Sequence, residues 1–261
     1  MARMQISPGK IDHIFISHLH GDHYLGLVPL LFSMNLHKRA SELHLYGPVG
    51  LDEIITLQLK YSESVLNYQI TFHPFDPSSK QLLLENGAIT VESIPLVHKL
   101  ACAGFLFREK QKPRRIDKLK LVEGMKLQQI AAFKTGEDIR DENGNLLYKN
   151  NDFTLPPRAS LAYAYCSDTA WNPGMIDQIN HIDLLYHEAT FAQADLIRAT
   201  ETKHSTAAQA GEMAKLAQVK KLVIGHFSAR YKELDILLQE AKSHFPNTEL
   251  AVEGTTFTLA D

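Results

Sequence analysis

Three histidines and an aspartate fall within six consecutive positions, His18-Leu19-His20-Gly21-Asp22-His23, directly after the apolar run 11–16. On an extended segment residues two apart point the same way, so His18 and His20 can close on one ion. Asp22 and His23, beyond the flexible Gly21, can reach a second. A solvated loop gives no reason to crowd neutral imidazoles so closely, whereas a dinuclear metal site does.

More donors stand where apolar runs end. His98 closes the run 91–97, Asp168 follows 163–167, and His226 follows 222–225. Taken singly, each is better explained as a turn or capping residue. Taken together, His18, His20, Asp22, His23, His98, Asp168 and His226 supply seven donors. Two zinc ions need about six to seven, with one carboxylate able to bridge.

Such donors need elements that bring them to one rim, and the chain alternates strand-like with helix-like segments. Strand patterns cover 11–17, 42–46, 88–97, 101–107, 160–166, 182–187, 221–225 and 249–252. Apolar residues at three-and-four spacing predict helices over 22–34, 51–61, 191–199, 206–217 and 232–244. This order predicts an α/β fold without internal repeats, with its chemistry at strand ends. Over 108–158 the periodicity fades and basic residues accumulate, and Asn143-Gly144 offers a tight turn between Ile139 and Tyr148. That segment reads as a protruding insertion in a single domain spanning 1–261.

Composition narrows the class. With 261 residues and 44% hydrophobic content the chain can bury a large core. The longest mostly apolar stretch, 24–34, is too short for a bilayer helix, and no secretory leader pattern opens the chain, so a cytoplasmic location is expected. Cys102 and Cys166 lie far apart and match no CxxC pattern, which argues against a disulfide framework. A net charge of −3 disfavours a protein coated all over by nucleic acid but leaves room for a local basic patch.

In the metal motif, the isolated His98, Ser167-Asp168-Thr169 and the late His226, the chain resembles the metallo-β-lactamase superfamily. Further segments resemble its ribonuclease Z branch, the endonucleases that remove the 3′ trailer from precursor tRNA. These are Tyr24-Leu25-Gly26-Leu27-Val28-Pro29-Leu30-Leu31, Tyr46-Gly47-Pro48-Val49-Gly50-Leu51, His187-Glu188-Ala189-Thr190-Phe191, His204-Ser205-Thr206-Ala207 and His226-Phe227-Ser228-Ala229-Arg230-Tyr231. The resemblance implies a four-layer αβ/βα sandwich. The family carries further strands ahead of the metal motif, where this chain has only residues 1–10, and Ala2-Arg3-Met4-Gln5 looks like the middle of a family member. The fold is therefore expected to be amino-terminally incomplete.

The resemblance implies that His18, His20 and His98 hold one zinc, that Asp22, His23 and His226 hold the other, and that Asp168 bridges them, with Mn²⁺ as an alternative metal. It implies hydroxide attack on a phosphodiester, leaving a 3′-hydroxyl on the tRNA. Asp22 would orient the nucleophile and take its proton. His204 would protonate the leaving oxygen, with Glu188 raising its pKa and fixing its orientation. The plainer explanation of His204 is helix entry, where Ser205 or Thr206 caps 206–217. Ser228 and Arg230 would hold the phosphate or the RNA 3′ end, or serve as turn residues. His187 is left outside the ligand set.

Between 108 and 126 lie Arg108, Lys110, Lys112, Arg114, Arg115, Lys118, Lys120 and Lys126 against Glu109, Asp117 and Glu123. Such a patch contacts phosphates without reading sequence, although charge runs are more often solvated loops. In the family an arm inserted here grips tRNA, which singles out Lys112, Arg114, Arg115 and Lys118; this arm lacks the glycine-proline pairs expected at its stem. A homodimer is also expected from the resemblance. Two alternatives stay open: a small-molecule phosphodiesterase or arylsulfatase on the same fold, and an inactive truncated fragment that binds metal or RNA.

Overall fold

The structure, a computed structural model, describes residues 6–259; the segment Ala2-Arg3-Met4-Gln5 lies outside the described residues. Two compact units are present. The larger takes the chain up to Phe107 and again from Ala162 onward, and the smaller is Arg108–Leu161.

Two sheets build the larger unit. The first has three parallel strands in sequential order, β1 (His13–Phe15), β2 (Leu43–Pro48) and β3 (Ile70–Phe75). The second has seven strands in the order β14-β13-β12-β11-β6-β5-β4. Its members are β4 (Leu82–Glu85), β5 (Ile89–Leu96), β6 (Cys102–Glu109), β11 (Ala162–Cys166), β12 (Leu184–Glu188), β13 (Lys221–Gly225) and β14 (Thr248–Leu250).

Strand alternation sorts the side chains into layers. Leu43 and Leu45 of β2 join Leu27, Leu31 and Met34 of α2 (Leu27–Leu36) and Leu51 and Ile55 of α3 (Leu51–Tyr61) in one core. Tyr46 and Phe75, on the other face, meet Val91, Ala103 and Phe105 of the large sheet in a second core. The far face of the large sheet packs Ala164, Leu185, Leu222 and Ile224 against Ala210, Met213 and Ala214 of α8 (Ala207–Leu216) and Leu237 and Ala241 of α9 (Asp235–His244). The succession helix, sheet, sheet, helix is the four-layer αβ/βα sandwich expected from the sequence. α8 and α9 approach closely because residue 211 is glycine: a Cβ there would stand 2.5 Å from the Ala241 carbonyl oxygen.

Several boundaries differ from expectation. The helix expected over 22–34 is two helices, α1 (Gly21–Tyr24) and α2, because Pro29 fits only the first turn of a helix, where its missing N–H is not required. Residues 191–199 do not form one helix: Phe191 bridges to Thr206 and α7 is Leu196–Thr202. The helix expected from 232 begins at Asp235. β3 was unread because Pro74 interrupts it, which an edge strand tolerates.

The smaller unit holds two short antiparallel pairs, β7 (Arg115–Ile116) with β10 (Thr154–Leu155) and β8 (Ile139–Arg140) with β9 (Leu146–Tyr148). The Asn143-Gly144 turn lies where expected: Gly144 adopts φ 84° and Asp141 Oδ1 accepts from the Asn143 and Asn145 amides. An unexpected helix, α4 (Leu127–Thr135), buries Phe133 completely and stacks it on Phe153 at 5.1 Å. Phe153 closes the short α5 (Asn150–Phe153).

Candidate metal centre

Five of the seven expected donors follow the ends of strands, and the other two, Asp22 and His23, stand in the short helix that begins just after His20. His18 and His20 follow β1 and lead into α1 with Asp22 and His23; His98 follows β5, Asp168 follows β11 and His226 follows β13. Parallel pairing of β11, β12 and β13 sets Cys166 opposite His187 and Glu188 opposite Gly225, so their carboxyl ends coincide at one edge. Asp168 and His226 leave their strands in left-handed backbone, φ 60° and 58°. Such conformations persist where the surroundings enforce them, and they cluster at functional sites.

The donor atoms converge. Nε2 of His18 and of His98 lie 3.0 and 3.1 Å from His20 Nδ1. Asp168 Oδ2 lies 3.5 Å from His18 Nε2, 3.6 Å from His98 Nε2 and 3.3 Å from His23 Nε2, and Asp168 Oδ1 lies 3.1 Å from His226 Nε2. The exposed Asp22 places Oδ2 3.5 Å from His23 Nε2 and 4.0 Å from His226 Nε2. The expected donors form two groups, His18-His20-His98 with Asp168 and Asp22-His23-His226, and a third group brings His204 together with Asp168 and His226.

This donor set fits divalent ions. Ligands about 2.0–2.1 Å from a tetrahedral zinc stand roughly 3.3–3.4 Å apart, and the His18–His20, His20–His98, His18–Asp168 and His98–Asp168 spacings run from 3.0 to 3.6 Å. His23 Nε2 is buried and makes no hydrogen bond, because its approach to Asp168 is at ion-pair distance without hydrogen-bond geometry. A buried nitrogen left so is costly unless a metal ion or a proton takes its lone pair. Burial works to lower the His23 pKa, but Asp168 and Asp22 beside it outweigh burial and raise it. Burial and the neighbouring His23 push the His18 imidazole down to about 3, and burial also lowers His98, so both favour the neutral form that ligates. Burial pushes the Asp168 carboxyl up, but the imidazoles of His23, His226 and His18 outweigh it and hold the group well below the carboxylate range.

The remote ring nitrogens are held as well. His98 Nδ1 donates to the Lys203 carbonyl at 2.9 Å, and His226 Nδ1 meets Thr190 Oγ1 at 2.9 Å. His18 Nδ1 faces Ser17 Oγ at 3.0 Å and Cys102 Sγ at 3.5 Å. These contacts leave the opposite nitrogen turned toward the cluster.

Beside the cluster, His204 lies with its ring centroid 5.0 Å from that of His98 and 5.4 Å from that of His226. Its Nδ1 donates at 2.8 Å to Oε1 of Glu188, which is completely buried. Glu188 also accepts from the Thr169 amide at 2.7 Å, the Thr190 hydroxyl at 2.6 Å and the Ser205 amide at 3.1 Å. Burial works to lower the His204 pKa, but the Glu188 hydrogen bond and charge outweigh it and hold the imidazolium above its ordinary value. The capping explanation of this segment holds at the same time, since Thr206 caps α8 by accepting from the Gln209 amide.

The remaining candidates divide. Ser228 donates its amide to the Thr190 carbonyl, and Arg230 lies over the Phe191 ring at 5.5 Å and 3.8 Å from Asp195. In the smaller unit, Lys112 pairs with Glu109 at 2.6 Å, Arg114 donates to Thr154 and Asn151, and Arg115 donates to the Pro156 carbonyl; Lys118 is exposed. The buried His187 bonds the Glu188 carbonyl at 2.7 Å. Thr190, Ser17 and Cys102 have no place in the sequence pattern as partners of site residues, and only the His-Glu-Ala-Thr segment signals one of them, Thr190. The pattern also gives no context to His13, His44 and His73, which meet on the small sheet with His44 Nδ1 3.1 Å from His73 Nε2.

Four such layers, with histidine and aspartate donors converging at strand ends, define a protein of the metallo-β-lactamase fold; a beta-lactamase superfamily domain model matches residues 2–116. Ribonuclease Z of Bacteroides thetaiotaomicron is 42% identical over 261 residues, covering 99% of this chain and 82% of that protein. Ribonuclease Z of Cytophaga hutchinsonii is 45% identical over 241 residues, covering 92% of this chain and 77% of its own. The chain belongs to the ribonuclease Z family. Among solved structures, the short form of human tRNase Z shares the fold with a TM-score of 0.68 at 23% identity, covering all of this chain and 83% of that one. The Bacillus subtilis metallo-beta-lactamase fold protein YhfI shares it with a TM-score of 0.62 at 18% identity, over 96% and 78% of the two chains.

Proposed function

We propose that this chain is a zinc-dependent endoribonuclease that removes the 3′ trailer from precursor tRNA in the cytoplasm, acting as a homodimer. The observation that carries the reading is the meeting of seven donors at one rim with the His204–Glu188 pair beside them, in a chain of the ribonuclease Z family. His18, His20 and His98 would hold one ion, Asp22, His23 and His226 the other, and Asp168 would bridge, with Mn²⁺ the alternative metal. The two ions, when bound, supply a nucleophile at neutral pH and neutralise charge on the phosphate.

The residues do the rest. Asp22, the one exposed donor of the set, orients the attacking water and accepts its proton. Water oxygen joins phosphorus as the bond to the 3′ oxygen breaks, so the phosphate stays on the trailer and the tRNA keeps a 3′-hydroxyl. His204, with Nδ1–H committed to Glu188, presents Nε2–H to that leaving oxygen. Arg230, against the Phe191 ring and Asp195, would meet a phosphate, together with Ser228 of the same loop, whose amide donates to the Thr190 carbonyl. The basic face of the smaller unit, with Lys112, Arg114, Arg115 and Lys118, serves as a tRNA exosite.

Metal analysis of purified protein tests the reading: close to two zinc ions per chain are expected. A folded sample without bound transition metal overturns it.

A further inference from the structure

The His204–Glu188 pair and the cluster donor His226 are joined by one hydroxyl. Thr190 Oγ1 lies 2.6 Å from Glu188 Oε2, 2.9 Å from His226 Nδ1 and 3.0 Å from the His226 carbonyl oxygen. A hydroxyl has a single proton to give, and the charge-assisted contact to the carboxylate is the shorter and stronger. The oxygen lone pairs then accept from His226 Nδ1–H, which turns the unprotonated Nε2 toward Asp168 and Asp22. The other oxygen of the same carboxylate, Oε1, accepts from His204 Nδ1 and from the amide of Thr169, the neighbour of Asp168.

Backbone bonds hold this bridge in place. The Ala189 amide donates to the Gly225 carbonyl and the Ser228 amide to the Thr190 carbonyl, clamping 188–190 against the turn that carries His226 in left-handed backbone. Gly225 suits this turn, since a Cβ there would collide with the Tyr186 ring and hydroxyl. Thr190 and Glu188 are both buried, so water does not compete for these bonds.

We infer that Thr190 is a positioning residue that makes one carboxylate, Glu188, orient both the leaving-group acid His204 and the metal donor His226. The inference rests on the two-ion reading above and adds to it a coupling between acid and metal through a single side chain. A Thr190→Val variant keeps the shape and removes the hydroxyl; Thr190→Ser keeps the hydroxyl and removes the methyl.

The experiment measures zinc retained per chain against a competing chelator for wild type and both variants, alongside kcat and KM on a precursor tRNA. With Thr190→Val the more weakly held zinc should be lost about 10- to 100-fold more readily, the usual scale for a partner of a metal-ligating histidine. The other zinc should be retained. At saturating zinc kcat should stay depressed with KM unchanged, and Thr190→Ser should restore both readouts most of the way. A Thr190→Val protein that holds both ions as tightly as wild type overturns the inference alone. A Thr190→Ser protein as weak as Thr190→Val does the same, since the methyl group would then be what matters. Wild type that binds no zinc overturns the two-ion reading together with it.

Discussion

The two units hold their charged side chains in opposite ways. In the larger unit the donors approach one another at 3.0–4.0 Å, and a second ring of contacts from Ser17, Lys203 and Thr190 orients them, with Glu188 holding the neighbouring His204. In the smaller unit Lys112, Arg114 and Arg115 bond that unit's own atoms, whereas Lys118 is exposed. Convergence of like groups against their own repulsion marks a place built for a ligand that compensates it. Cations already satisfied within their own unit hold that unit together, and what they offer a nucleic acid is positive potential more than free donors.

The contrast is broken most severely by Asp168→Ala. It removes the carboxylate facing His18, His23, His98 and His226, and should reduce bound zinc and cost several kcal/mol in kcat/KM, read by metal analysis and steady-state kinetics. Retention of both zinc ions and of turnover would deny Asp168 its bridging place.

Next in size is His204→Ala, expected to keep both zinc ions and to lower the chemical step by roughly a hundredfold or more. The sign of its pH dependence follows from its shift. An imidazolium acid is present below its pKa and lost above it, and His204 is raised above the usual 6.5. Wild-type rate should therefore fall on an alkaline limb lying above 6.5, and that limb should vanish in His204→Ala. Zinc loss in the variant would make His204 a ligand instead, which its approach to Asp168 and His226 permits sterically.

The smallest effect should come from the arm. Lys118→Ala should weaken precursor tRNA binding modestly and reduce the salt slope by about one unit. Hydrolysis of a small phosphodiester should be unchanged. Arg114→Ala and Arg115→Ala should also loosen the smaller unit, because each anchors its own backbone or side chains. Equal losses on both substrates for Lys118→Ala would remove the exosite from the account.

The site was far more legible than the arm. Donors in a six-residue motif and at strand ends can be recognised because both spacing and residue type are constrained by coordination. Partners such as Thr190 and Cys102 were not, since serine, threonine and cysteine occur everywhere and only three-dimensional proximity gives them a role. In the fold, β2, α3 and α8 carry clean periodicity and were read almost to their ends. β3 was lost to Pro74, and α4 to a sequence whose only fully buried residue is Phe133. A short helix held by one aromatic side chain leaves almost no hydrophobic period to find.

The most direct test of the central claim is mapping the ends produced when the zinc-loaded protein meets a precursor tRNA with a defined 3′ trailer. The account predicts a single cut at the 3′ side of the tRNA, a 3′-hydroxyl on the tRNA and a 5′-phosphate on the trailer, abolished by a chelator and restored by zinc. No cut by a protein that carries two zinc ions would contradict it, as would a 2′,3′-cyclic phosphate end, because the RNA's own 2′-hydroxyl rather than water would then be the nucleophile.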